Sequence, residues 1–154
     1  MTAEPIADEL RQAAEGRWAA GFYCAESVLL AVTEAEGIES GLLPAVASAF
    51  CSGQARTCGP CGALSGALMA LGAVLGRRSE KESMDRVYEA ARLLIEEFEG
   101  EFGSRDCREL LDGCDLGTPE GQAMFRERGF RERCRRFTGR AAQMAGRILD
   151  EHRR

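Results

Sequence analysis

Residues 56–76 read RTCGPCGALSGALMALGAVLG, and their reading decides the fold. Cys58-Gly59-Pro60-Cys61 is the sequence of the thioredoxin dithiol, which belongs between a strand and a helix of a βαβ unit. The helix half of that context is present, because the residues after Cys61 are apolar or small throughout. The strand half is missing. Residues 42–57, LLPAVASAFCSGQART, carry a proline, small side chains and a polar turn, without the alternation a strand needs. The stretch therefore opens a helix outside a thioredoxin fold.

On a helical wheel Leu64, Leu68, Leu71 and Leu75 share one face, while Gly62, Gly66, Met69 and Ala73 take the opposite one. This predicts a sandwiched helix whose small-residue side admits a close backbone neighbour, either in the same chain or in the second copy of a homodimer. The apolar run from Cys61 to Gly76 is 16 residues long, short of the roughly 18 a membrane span requires. It reads as a buried helix, with no membrane as partner.

Helical periodicity continues outward. Ser79 and Glu82 have capping-box spacing, and Met84, Val87, Tyr88, Ala91, Leu94, Ile95, Phe98 and Phe102 fall on one face ahead of Gly103. Phe130, Cys134, Phe137, Ala141, Met144 and Ile148 form a second stripe, with the arginines mostly outside it. Further helices are expected at about Pro5–Ala20, Cys24–Glu36 and Leu42–Cys51, after Ser104 through Leu111, and from Thr118-Pro119-Glu120. No strand is predicted. The expectation is all-α: a single compact bundle of about six to eight helices around a central Gly/Ala-rich helix, forming one cysteine-rich domain over residues 1–154.

A chain of 154 residues buries enough core to fold without disulfides or metals, so its 7 cysteines ask for another account. The beginning, MTAEPIADELRQ, lacks the basic and apolar regions of a secretory signal, which makes the cytoplasm the expected location. Thiols stay reduced there, and an odd set points to metal ligation, redox chemistry or burial. The only histidine, His152, lies in the tail, so a metal site would be mainly thiolate.

Charge is unevenly placed. Residues 121–154 hold ten arginines against four acids, while the rest is strongly acidic and the whole carries −5. An intramolecular match accounts for this, and nucleic acid is not the expected partner. Hydrolysis is disfavoured: Ser65 lacks a nucleophile-elbow glycine two places before it, and no histidine lies near it in sequence. Glu96 and Glu97 read as a solvated helix face, and no phosphate-binding glycine loop occurs.

Three cysteines sit at expected helix starts: Cys24 after Gly21, Cys61 after Pro60, and Cys107 after Ser104. The positive end of a helix favours thiolate, the form that attacks disulfides and binds metals. The strings Cys24-Ala25-Glu26-Ser27-Val28-Leu29, Cys61-Gly62-Ala63-Leu64-Ser65-Gly66, Cys107-Arg108-Glu109-Leu110-Leu111 and Asp115-Leu116-Gly117-Thr118-Pro119-Glu120-Gly121, with Cys134, resemble the redox-active family named for its C-GCAxxG-C-C cysteine pattern. The likeness runs from about Phe22 to about Leu149. The box reads CGALSG here, and no CxxCH haem motif is present.

The resemblance implies a helical redox domain related to the iron–sulfur domain of split-Soret-type cytochromes, with Cys24, Cys61, Cys107 and Cys134 as the family cysteines. Cys51, Cys58 and Cys114 lie outside that pattern. The leading expectation is a small electron-transfer or redox-sensing protein that holds a 2Fe-2S or 4Fe-4S cluster and serves a redox partner protein. Its ligands come from Cys61, Cys107 and Cys134 with either Cys24 or Cys58. A dithiol–disulfide oxidoreductase using Cys58 and Cys61 is the second expectation. Structural zinc, or a helical module without cofactor, is the third.

Overall fold

The computed structural model describes the backbone of residues 3–153 and the side chains of residues 6–153. Among the described residues eight helical segments follow one another: α1 (Ala3–Ala19), α2 (Cys24–Ala35), α3 (Cys51–Arg56), α4 (Gly62–Leu75), α5 (Asp85–Phe102), α6 (Cys107–Leu110), α7 (Pro119–Glu127) and α8 (Phe130–Arg153). A 3-10 turn, Ala45–Phe50, precedes α3. Among the described residues the only strand-like feature is an isolated bridge between Pro60 and Asp106. The architecture is an all-α bundle, as the periodicity predicts.

Helices α2 and α4 form its centre. In α2, Val28, Leu29 and Val32 are fully enclosed. Tyr23 N donates to the Glu26 carboxylate at 3.1 Å, fixing the start of this helix. In α4 the glycine face meets α2 in the same chain. A Cβ on Gly66 would stand 2.8 Å from the Ala25 Cα, closer than real side chains come. The close neighbour expected from the sequence is thus intramolecular. The other face of α4 buries Leu64, Leu71 and Leu75.

Helix α8 closes the bundle against α1, with Phe137, Ala141, Met144 and Ile148 buried along its stripe. Phe102 lies edge-on to both Phe98 and Phe137, with ring centroids 4.9 and 4.8 Å apart. Several α8 arginines pair with acids of the rest of the chain: Arg140 bridges Glu101 at 2.6 Å, and Arg147 and Arg153 pair with Glu97 and Glu36. These pairs are part-exposed, so each contributes at most about 1 kcal/mol. They do account for the charge asymmetry.

Three expected elements differ. The segment predicted as a helix at 42–51 is mostly a 3-10 turn, and α3 after it winds left-handed: Ser52, Gly53, Gln54 and Ala55 all have φ between 57° and 64°. Only Gly53 among these signals such a backbone in the sequence. Helix α5 begins at Asp85 because the Ser79/Glu82 pair is spent on a surface turn, where the Glu82 carboxylate accepts from Arg78 N at 2.6 Å. Tyr88, expected on the buried stripe, is 51% exposed, and Ala90 takes the inner position. Ser104 caps no helix directly. Its hydroxyl accepts from Asp106 N at 3.0 Å, and α6 starts three residues later, at Cys107.

Candidate functional site

The loop before α4 and the start of α6 are stitched together by backbone. Cys61 N donates to Arg105 O at 2.7 Å, Cys107 N to Gly59 O at 3.0 Å, and Gly59 N to Gly53 O at 2.8 Å. These three bonds hold α3, the CGPC segment and α6 in one plane of contact. Gly53 then packs directly on Cys107: a Cβ there would lie 2.6 Å from the Cys107 Cβ and 3.3 Å from its Sγ.

Beneath this junction is a cavity of about 180 Å³ whose wall includes Cys24, Cys61, Cys107 and Cys134. Each cysteine arrives from a different element: the first residue of α2, the N-cap of α4, the first residue of α6 and the second turn of α8. Cys24, Cys61 and Cys107 are buried and Cys134 is half-buried. Apolar side chains fill out the wall, among them Trp18, Leu111, Phe125 and Phe137.

Arg56, Arg126 and Arg131 also line it, and among the described residues none of the three has a carboxylate partner. The Arg131 guanidinium lies 5.3 Å from the centre of the Trp18 ring. The indole N–H of Trp18 is buried without a hydrogen-bond partner. Such an orphaned donor costs about 1–3 kcal/mol unless something accepts from it.

The electrostatics of the four thiols are those of groups crowded together in an apolar place. Burial pushes Cys61 up to about 11, although the N–H groups of Ala63 and Leu64 oppose it. The helix start therefore does not prevail over desolvation in the metal-free thiol, contrary to the expectation from the α4 dipole. Cys107 is pushed up to about 12 by burial and then by Cys61, Cys58 and Cys114. Cys134 is raised by burial and by Cys61 and Cys107. Cys24 is raised by its hydrogen bond to Cys51, by burial and by Cys61. Each ionisation opposes the next, which a cation bound among them would reverse.

The other three cysteines lie off this wall. The Cys58 thiol interacts with the Asp115 carboxylate, which holds Asp115 down after the Gly117 N–H. Cys114 is buried and donates to Gly121 O at 3.0 Å. Cys51 is buried beside Cys24, its Sγ 3.7 Å from Ala47 O. The sequence reading passed over Trp18, Arg126, Arg131 and the left-handed turn, which bear no motif. Only Gly53 offered a signal.

Among the described residues no group of three or more His, Cys, Asp or Glu is gathered tightly enough to hold a single metal ion. A lone zinc needs its sulfurs all about 2.3 Å from one point. In a four-iron cluster each iron takes one thiolate, so its ligands stand around a core. Four thiols spread over the wall of one cavity, with unpaired cations beside them, fit that kind of group.

Fold and site together define a helical, cysteine-rich domain whose candidate chemistry is that of thiols. Residues 22–148 match the family model described as "Putative redox-active protein (C_GCAxxG_C_C)", and the chain belongs to that family. Comparison with curated proteins and with solved structures found no match. No helix among the described residues is long and apolar enough to cross a membrane.

Proposed function

We propose that this protein is a small electron carrier or redox sensor in which Cys24, Cys61, Cys107 and Cys134 hold an iron–sulfur cluster. The observation that carries the reading is the presence of these four cysteines, and of no other, on the wall of one cavity. A bound cluster supplies one-electron transfer at a potential tuned by charge, hydrogen bonding and solvent exposure.

The chain's own residues do the rest. Leu111, Phe125 and Phe137 give the thiols apolar neighbours. Arg56, Arg126 and Arg131 add positive potential where four thiolates would otherwise accumulate negative charge. The backbone bonds from Cys61 and Cys107 fix two of the four ligands before any metal arrives.

Purification without oxygen, followed by an absorption spectrum and iron and sulfide analysis, tests the reading. Coloured protein with matching iron and acid-labile sulfide, lost together in Cys61→Ser and in Cys134→Ser, is the expected result. Colourless protein that also fails to take up iron and sulfide on reconstitution overturns it.

A further inference from the structure

Cys51 lies outside the four-cysteine set, yet it is placed against one of its members. Gly62, at the start of α4, has no side chain, and the space a Cβ would occupy is filled from two directions. The Cys24 Sγ sits inside clash distance of that point, and the Cys51 Cα is 3.1 Å from it. The 3-10 turn leading into Cys51 is tied to the first turn of α2, because Ser48 Oγ donates to the Glu26 carboxylate at 2.8 Å. Cys51 and Cys24 are both buried and both free thiols. The Cys24 sulfur and the Cys51 Cα thus crowd the same point beside Gly62, which puts the two thiols within reach of one another.

Access separates them. Cys24 is on the cavity wall, whereas Cys51 stands behind it and takes no part in the lining. That is the arrangement of an attacking thiol with a resolving thiol at its back. The Cys58 and Cys61 thiols, two residues apart in a motif that suggests such a couple, point to different surroundings instead.

We propose that Cys24 and Cys51 are a dithiol–disulfide couple whose substrate is a small disulfide admitted to the cavity. Cys24 gives up its proton and its sulfur attacks one sulfur of the substrate RSSR, forming a Cys24–SR bond while the S–S bond breaks and RS⁻ leaves with its electron pair. The Cys51 thiolate then attacks the Cys24 sulfur, forming the Cys24–Cys51 disulfide and expelling the second RS⁻. The two protons that Cys24 and Cys51 give up end on the two RSH products. The protein is oxidised by two electrons and the substrate is reduced by two.

The couple does not depend on a cluster, but the two readings share Cys24. Closing the disulfide removes one of the four cavity thiols, so oxidation by a small disulfide and cluster binding exclude each other.

The test uses the full-length, pre-reduced, iron-free protein with oxidised glutathione, and peptide mapping by mass spectrometry without reduction. The expected result is a crosslink between the Cys24 and Cys51 peptides, with two glutathione thiols released per chain. Cys51→Ser and Cys51→Ala should each stop at a glutathione adduct on Cys24, with release halved, while Cys58→Ser behaves like the natural chain. A crosslink between Cys58 and Cys61 or between Cys58 and Cys114 overturns the proposal. So does a natural chain that ends as mixed disulfides without any internal bond. Because mapping of the natural chain needs neither metal nor variant, its outcome stands whether or not the protein binds iron.

Discussion

The Cys107 N–H donates to the Gly59 carbonyl at 3.0 Å, binding one cavity cysteine to the loop that ends in another, Cys61. Together with the Cys61 bond to Arg105, it sets two thiols side by side by main chain alone. The glycines that allow such approaches are where substitutions should be felt most.

At Gly53 the φ is +64°, and an added Cβ would meet the Cys107 Cβ at 2.6 Å. Gly53→Ala therefore combines left-handed strain with a push on a cavity cysteine. A loss of about 1–3 kcal/mol of stability is expected, from backbone conformation and overpacking together. Urea unfolding measures it. Iron uptake should fall as well, and an unchanged midpoint with unchanged uptake would show that the contact between α3 and α6 does not matter.

The glycines of α4 provide an internal control. Gly66→Ala would drive a methyl into the Ala25 backbone at the α2 contact, whereas a Cβ at Gly72 meets nothing within 4 Å. Gly66→Ala should destabilise by roughly 1–3 kcal/mol or more, and Gly72→Ala should be neutral or stabilise by up to about 1 kcal/mol through helix propensity. Thermal unfolding of the two variants side by side checks the contrast. Equal midpoints would mean that α2 and α4 are not packed backbone to backbone.

How far the sequence made this legible depends on the kind of signal. The stripes of α4 and α8 were readable because burial follows helical period, and Phe137, Ala141 and Met144 lie where the period puts them. Motifs singled out Cys24, Cys61, Cys107 and Cys134, and the cavity wall they share is built from the starts of three helices and the second turn of a fourth. The left-handed turn was not readable, since Ser52, Gln54 and Ala55 prefer right-handed backbone and only tertiary contacts hold them otherwise. The orientation of Cys58 was hidden for the same reason. With φ of 63° it turns its thiol to Asp115, and two-residue spacing alone could not reveal that. Cys51 carried no motif at all, so its place beside Cys24 emerged only in three dimensions.

The raised thiols give the metal-free protein a definite alkaline weakness. Cys61 is held up at about 11 and Cys107 at about 12 by burial, while the unfolded thiol titrates near 9. The folded state thus keeps protons that the unfolded state gives up. Below pH 9 the stability is fully present, and it is lost as pH rises from there through the folded values. At about pH 10.5 the loss should be on the order of 2 kcal/mol for each such thiol, at 1.36 kcal/mol per pH unit. Urea unfolding of reduced, metal-free protein at pH 8 and pH 10.5 measures this, and Cys61→Ala should flatten the decline. A decline of the same size in that variant would refute the assignment to the cavity thiols.

The unpaired arginines yield the prediction most specific to an iron–sulfur cluster. Arg126 and Arg131 line the cavity without carboxylate partners, whereas Arg140 is committed to Glu101 at 2.6 Å. Removing a nearby positive charge disfavours the more negative, reduced state of a cluster. Arg126→Gln and Arg131→Gln should each lower the midpoint potential, and the double variant should lower it further. Arg140→Gln, the same change in charge away from the cavity wall, should leave it within error. Redox titration of the reconstituted proteins at one ionic strength decides the matter. If all three single variants shift together, the cavity arginines act only through overall charge and have no special relation to the cluster. If none shifts, the arginines do not face the redox centre, and the cluster would have to be sought elsewhere than on this wall.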